Sequence, residues 1–98
     1  MTITKNLDGT KLTLALEGRL DTTTSPQLET EMHPDIDQAT EVVFDLEKLA
    51  YISSAGLRVL LSAQKIMNKQ GEMKLIHVNQ VINEIFEVTG FTDILTIL

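Results

Sequence analysis

Val42-Val43-Phe44-Asp45-Leu46-Glu47-Lys48-Leu49-Ala50-Tyr51-Ile52-Ser53-Ser54-Ala55-Gly56-Leu57 joins two different periodicities in one stretch. Val42 to Leu46 is a short, β-rich apolar run of the kind that forms a buried strand. From Ser53 to Lys69 the apolar residues Leu57, Leu60, Leu61 and Met67, with Val59, Ala63 and Ile66 beside them, recur at helical spacing and give a wide apolar face. Gly71 ends that helix. A buried strand leading into a long amphipathic helix is half of a crossover unit, and crossover units build parallel sheets.

Reading outward from this stretch extends the alternation of strand and helix. Toward the N-terminus, Ile3 and then Leu12, Leu14 and Leu16 alternate around Asp8-Gly9, a strong signal for a hairpin turn. Gly18-Arg19-Leu20-Asp21 ends the hairpin, and Thr22-Thr23-Thr24-Ser25-Pro26 reads as a helix start with Ser25 as N-cap and Pro26 at the first helical position. Leu28, Met32 and Ile36 form its inward stripe, which Pro34 should end or bend near His33. Toward the C-terminus, Met73 to Val78 reads as a strand. Asn79 caps a helix carrying Val81, Ile82, Ile85 and Phe86 that Gly90 stops, and Ile94 to Leu98 reads as a last strand. The expected fold is α/β, in the order ββαβαβαβ: a mixed, mostly parallel sheet with an N-terminal hairpin, packed with helices.

Ninety-eight residues fit one small domain spanning 1–98, with 43% apolar and 22% charged residues, the balance of an ordinary folded globule. Fourteen acidic against eight basic residues give a net charge of −6, which repels a phosphate backbone and disfavours nucleic acid as a direct partner. Seven of the acids lie between Glu29 and Glu47, where a solubilising surface is the simpler reading than an acidic docking patch. Without cysteine, neither disulfides nor thiolate chemistry is available. The opening MTITKNLDGTKLTL has no basic end followed by an apolar stretch, and no apolar run approaches the length needed to cross a bilayer. A cytoplasmic protein with no membrane insertion is the expectation.

Partner and ligand sites in α/β sheets gather where strands end and helices begin, because unpaired N–H groups and the positive end of the helix dipole point outward there. That directs attention to Tyr51 through Leu57. Two adjacent hydroxyls stand at the helix start, and one cap needs only one. With Ser53 as cap, Ser54 occupies the first helical position with a free hydroxyl among N–H donors, where a phosphate would be favoured. Gly56 would keep that first turn open to a close-approaching partner. The residues alone leave a second reading open, that Ser53 and Ser54 are only a capping pair.

Asp45 through Leu61 resembles the signature of STAS domains, and in particular of the bacterial anti-sigma factor antagonists, whose pattern runs from a strand ending in Asp to Asp-Ser-Ser/Thr-Gly-Leu at a helix start. Gly18-Arg19-Leu20-Asp21 is similar to the family's Gly-x-Leu-Asp element, and Val88-Thr89-Gly90-Phe91 to its closing turn, so the resemblance spans essentially the whole chain. Ser53 stands where the family carries Asp, and Ala55 where it carries Ser or Thr, which leaves Ser53 as a rival hydroxyl. The resemblance implies that Ser54 is the phosphate acceptor of a partner anti-sigma factor acting as a serine kinase. It also implies that the unphosphorylated form binds that partner and frees a sigma factor, and that a serine phosphatase restores it. The implied partner surface comprises Asp21, Thr22, Thr23 and Thr24 with Ser53, Ser54, Gly56, Leu57 and Arg58. Asp21 is open to a second reading, as a turn residue ahead of the helix.

The remaining candidates argue for little chemistry. Neither serine lies in Gly-x-Ser-x-Gly, and no histidine pair has metal-ligand spacing on a helix. No Gly-rich loop with a following Lys suggests a nucleotide cradle, so neither catalysis, a cofactor nor a metal is expected. His33 before Pro34 and His77 within the expected strand read as structural or surface residues. Phe44, Phe86, Phe91, Met67 and Met73 read as core, and Lys65, Lys69 and Lys74 as a solvated rim. Two other functions remain to be tested against the phospho-switch: a constantly docked STAS subunit of a lipid-transport or stressosome-like assembly, and a small-molecule-binding domain. A small acidic domain of this kind would be a monomer or a weak dimer.

Overall fold

The alternation in the first twenty residues becomes a hairpin in the computed structural model, which describes residues Met1–Leu98. Strands β1 (Thr2–Asp8) and β2 (Lys11–Leu20) pair antiparallel and close with Asp8 opposite Lys11. The two-residue loop holds Gly9 at φ +61, a conformation that glycine adopts without steric cost. Helix α1 (Ser25–Met32) follows and stops at His33, which turns to extended geometry ahead of Pro34. The expected inward stripe survives this break. Leu28 and Met32 lie in α1 and Ile36 in a 3-10 turn (Asp35–Gln38), and all three are buried.

Strand β3 (Glu41–Ile52), helix α2 (Ser54–Gln70), strand β4 (Glu72–Ile76) and helix α3 (Gln80–Thr89) complete the regular elements. The sheet order is β1-β2-β3-β4, with β2/β3 and β3/β4 both parallel, as strands joined through helices require. β3 is more than twice the length its apolar run predicts. Ala15 pairs with Asp45 but Glu17 with Lys48, and Gly18 pairs with Leu49 but Arg19 with Tyr51. β3 thus carries two bulges, each inserting one residue. A bulge breaks the period-2 pattern, so Glu47-Lys48 reads as the end of a strand that in fact continues to Ile52.

Leu12, Leu14 and Leu16 of β2 and Val42, Phe44 and Leu46 of β3 fall on one face and are buried. Helices α1, α2 and α3 cover that face and join it in one cluster of 23 side chains, with Leu60, Ala63 and Met67 from α2 and Ile82 and Phe86 from α3. Full burial of each large apolar side chain is worth roughly 1.5–3 kcal/mol, so this layer carries most of the favourable free energy of folding. The opposite face of the sheet, with Thr13, Ala15, Asp45, Lys74 and Ile76, remains partly open. Lys74 is half-buried there and reaches Glu41 at 3.5 Å and Glu72 at 3.4 Å, more constrained than a solvated rim.

The expected fifth strand shrinks to a bridge. After a 3-10 turn (Phe91–Asp93) the chain meets the outer edge of β4 only at Leu75, which donates its N–H to Thr96 O and accepts from Leu98 N, both at 2.9 Å. The turn and Leu95, which is buried in the core, leave too few residues alongside β4 for a ladder.

Candidate functional site

α2 begins where β3 ends, and the two serines meet different fates there. Ser53 occupies the N-cap position with φ −97 and ψ 176; its N–H donates to Leu20 O and its carbonyl accepts from Leu57 N, both at 2.9 Å. Its side chain makes no capping bond: Oγ is buried and has no hydrogen-bond partner. Ser54 is the first residue of the helix and is exposed. The N–H groups of a first helical turn have no acceptor within the helix, so a negative group on Ser54 would sit at the favourable pole of α2.

The loop from β2 to α1 is ordered by Asp21. Its Oδ1 accepts from Thr23 N at 3.0 Å, Thr23 Oγ1 at 2.7 Å and Thr24 N at 3.2 Å. The Thr23 hydroxyl, followed by the Thr24 and Thr23 amides, lowers the Asp21 pKa against the opposing effect of desolvation. Asp21 is therefore first a turn residue. The cap of α1 lies one residue earlier than expected, at Thr24, whose hydroxyl accepts from Asp21 N and donates to Arg19 O, each at 2.8 Å. Ser25 is instead the first helical residue, buried, with Oγ donating to Asp21 O at 2.6 Å. The threonine hydroxyls and the Asp21 carboxylate satisfy one another within the turn, and Thr24 makes no side-chain capping bond to α1.

These two segments adjoin. A shallow cleft of about 200 Å³ between the first turns of α1 and α2 is lined by Thr22, Ser25, Glu29 and Arg58, among others. Thr22, Thr23, Ser54 and Arg58 are exposed around it, with Asp21, Thr24 and Ser53 half-buried. Two expected members of the surface belong to the core. Leu57 is 6% exposed, and Gly56 lies against β2 and β3, where a Cβ would come within 2.7 Å of Leu20 Cγ and 2.9 Å of Ile52 Cγ1 and Leu20 O. Gly56 thus permits close packing of α2 on the strand ends; it does not keep space for a partner. Arg19, which the sequence reading passed over, is exposed, stacks 4.4 Å above the Tyr51 ring and places Nε 3.9 Å from Asp21 Oδ2. The sequence carried no signal for this pairing, because Arg19 comes beside Tyr51 only through the two bulges of β3.

His77 does not lie inside a strand. β4 ends at Ile76, and His77 is exposed at φ 56 with Nδ1 3.0 Å from Asp45 Oδ1. Glu47 completes a group with Asp45 and His77. Separations of 2 and 30 residues match no short motif; the available hint was a carboxylate, Asp45, inside an apolar run. His33 is exposed, with Nδ1 3.8 Å from Asp37 Oδ1.

A family model described as the STAS domain matches residues 2–98. The chain is 41% identical, over 90% of its length and 77% of the relative's, to BtrV of Bordetella bronchiseptica, whose name proposes it as an anti-sigma factor antagonist. It is 29% identical to the anti-sigma-B factor antagonist of Bacillus subtilis, over 84% of this chain and 76% of that one. Among solved structures, the anti-sigma factor antagonist SpoIIAA in its unphosphorylated form superposes with a TM-score of 0.78 at 16% identity, covering 99% of this chain and 87% of that one. The phosphorylated form of the Bacillus SpoIIAA gives 0.77 at 16% identity, covering 99% and 91%. At that identity the likeness shows the fold.

Proposed function

The chain belongs to the STAS domain family, among the anti-sigma factor antagonists, and from that premise we propose that it is a protein-binding switch controlled by phosphate on Ser54. Unphosphorylated, it binds an anti-sigma factor that is also a serine kinase, and so frees a sigma factor. Phosphate on Ser54 abolishes that binding, and a serine phosphatase restores it. The surface used runs over Asp21 to Thr24 with Ser53, Ser54 and Arg58, packed on the buried Gly56 and Leu57.

The observation carrying this reading is the unequal exposure of the two hydroxyls: Ser54 stands in solvent at the first position of α2, whereas Ser53 Oγ is buried. A kinase needs the acceptor oxygen to reach its nucleotide, so Ser54 is favoured over its neighbour. A phosphate adds roughly 1.5–2 negative charges at pH 7. On Ser54 these face the N-terminal pole of α2, with Arg58 one turn along the same helix, so the fold tolerates them while a docked partner meets a changed charge and shape. No helix is long and apolar enough to cross a membrane. On this reading the protein acts in the cytoplasm beside the transcription machinery, as a monomer or weak dimer.

Incubation with ATP and the anti-sigma factor kinase encoded beside it, followed by mass-spectrometric mapping, should place phosphate on Ser54. Phosphate on neither serine would sink the switch. Ser54→Asp should abolish capture of the anti-sigma factor while Ser54→Ala retains it. Capture unchanged by Ser54→Asp would point to constant docking, as in a lipid-transport or stressosome-like assembly.

A further inference from the structure

On the uncovered face of the sheet, Asp45 and Glu47 of β3 meet His77 just past the end of β4. His77 Nδ1 lies 3.0 Å from Asp45 Oδ1 and 3.9 Å from Glu47 Oε2, and one donor atom from each of the three lies within 4.8 Å of the others. An ion bonded at about 2.1 Å to nitrogen and oxygen sets neighbouring donors about 3.0 Å apart in octahedral and about 3.4 Å in tetrahedral coordination, with an upper limit near ~4.2 Å. The two separations that involve His77 fall within that span, and a carboxylate rotation of a few tenths of an ångström brings the whole group, now within 4.8 Å, to it. We infer that Asp45, Glu47 and His77 form a binding site for a divalent transition-metal ion of the zinc class, held by one imidazole nitrogen and two carboxylates, with water in its remaining positions.

Three features beyond proximity support the assignment. The donors are mixed, and an imidazole with two carboxylates suits zinc or manganese better than calcium or magnesium, which take all-oxygen shells. The two carboxylates offset the double charge of the ion. The group is also held in place from two elements. Glu47 N donates to Asp45 Oδ1 at 3.1 Å across the first bulge of β3, which fixes the orientation of the carboxylate that faces His77. His77, in contrast, is turned over Asp45 by a backbone conformation that no other non-glycine residue of the chain adopts. A cavity of about 230 Å³, also lined by Thr4, Glu17 and Lys48, lies on the β2 side of Asp45 and Glu47 and leaves both carboxylates open to water. Binding would tie the end of β4 to the bulged part of β3, where pairing of the two strands stops at Asp45 and Ile76.

The test is calorimetric titration of the full chain with Zn²⁺, with Mg²⁺ as control and circular dichroism to verify folding of each variant. Saturable one-to-one binding of Zn²⁺ with none of Mg²⁺ is expected. His77→Asn, which retains a residue tolerant of the left-handed conformation, and Asp45→Asn should each weaken it at least ~10-fold, the lower end of what losing even an outer-shell partner costs. His33→Asn should leave it unchanged. Independently of any variant, substoichiometric Mn²⁺ should broaden the ring proton signals of His77 and spare those of His33. Absence of saturable Zn²⁺ binding, affinity unaffected by His77→Asn and Asp45→Asn, or equal broadening of both histidines overturns the assignment.

Discussion

Replacing Gly56 by Ala asks whether the signature glycine serves the fold or the partner. An added Cβ meets Leu20 Cγ at 2.7 Å, Ile52 Cγ1 at 2.9 Å and the carbonyl oxygen of Leu20 at 2.9 Å. The first two contacts are buried side chains of the core cluster, and the third is backbone that also accepts the Ser53 N–H, so α2 cannot relax away from it without breaking that bond. Overpacking of this kind costs about 1–3 kcal/mol, and three simultaneous contacts with fixed neighbours argue for the upper end. Alanine recovers up to about 1 kcal/mol of helix propensity over glycine, which leaves a net loss of about 2 kcal/mol. With a urea m-value of about 1.3 kcal/mol/M, the denaturation midpoint should fall by roughly 1.5 M. The melting temperature should drop by about 8–16 °C, at about 4–8 °C per kcal/mol for a domain of this size. At a temperature where both proteins are folded, anti-sigma factor binding should be nearly equal. A variant as stable as the parent with binding lost would refute the packing argument and return Gly56 to the partner surface.

Ser53→Ala should be neutral or stabilise by up to about 1 kcal/mol in thermal melts, because it removes a buried hydroxyl without a partner; a loss of about 1 kcal/mol or more would show that Ser53 does cap α2. Gln70→Ala should destabilise by about 1–2 kcal/mol, since Nε2 donates to Ile36 O at 2.7 Å and Ala39 O at 2.8 Å and so ties the end of α2 to the 3-10 turn before β3; an unchanged urea midpoint would count against that tie. The lowered pKa of Asp21 means that its ionised form is favoured by folding, so its contribution is present above the ordinary carboxylate range and is lost as pH falls through the depressed value. Thr23→Ala should raise the Asp21 pKa in an NMR titration, and Asp21→Asn should flatten the acid limb of the stability profile; a titration insensitive to Thr23 would contradict the hydrogen-bond origin of the shift.

Much of this molecule is local physics written along the chain. Asp8-Gly9 specifies a tight hairpin, Pro34 ends α1 because its ring opposes helical geometry at His33, and the stripe of α2 is deep enough that Leu57, Leu60, Ala63 and Met67 all reach the core. The position of Ser54 at a helix start follows from the same patterns. The bulges of β3 were not legible, because a bulge is a property of two paired strands and erases the alternation that reveals a strand. Nor was the role of Gly56: its neighbours Leu20 and Ile52 come from two strand ends, and only their packing shows why a side chain does not fit. The start of α1 at Thr24 depended on a turn ordered by threonine hydroxyls and one carboxylate, among several polar residues that could each have served.

The sequence by itself determined the order of strands and helices as far as α3 and the hydroxyl-bearing junction before α2, because hydrophobic period, turn chemistry and helix starts are short-range. Tertiary structure alone decided which of the two serines faces solvent, since burial of Ser53 Oγ depends on how β2 and β3 end beneath α2. It likewise brought His77 to Asp45 and Glu47, residues about thirty positions apart that become neighbours because β3 and β4 run side by side.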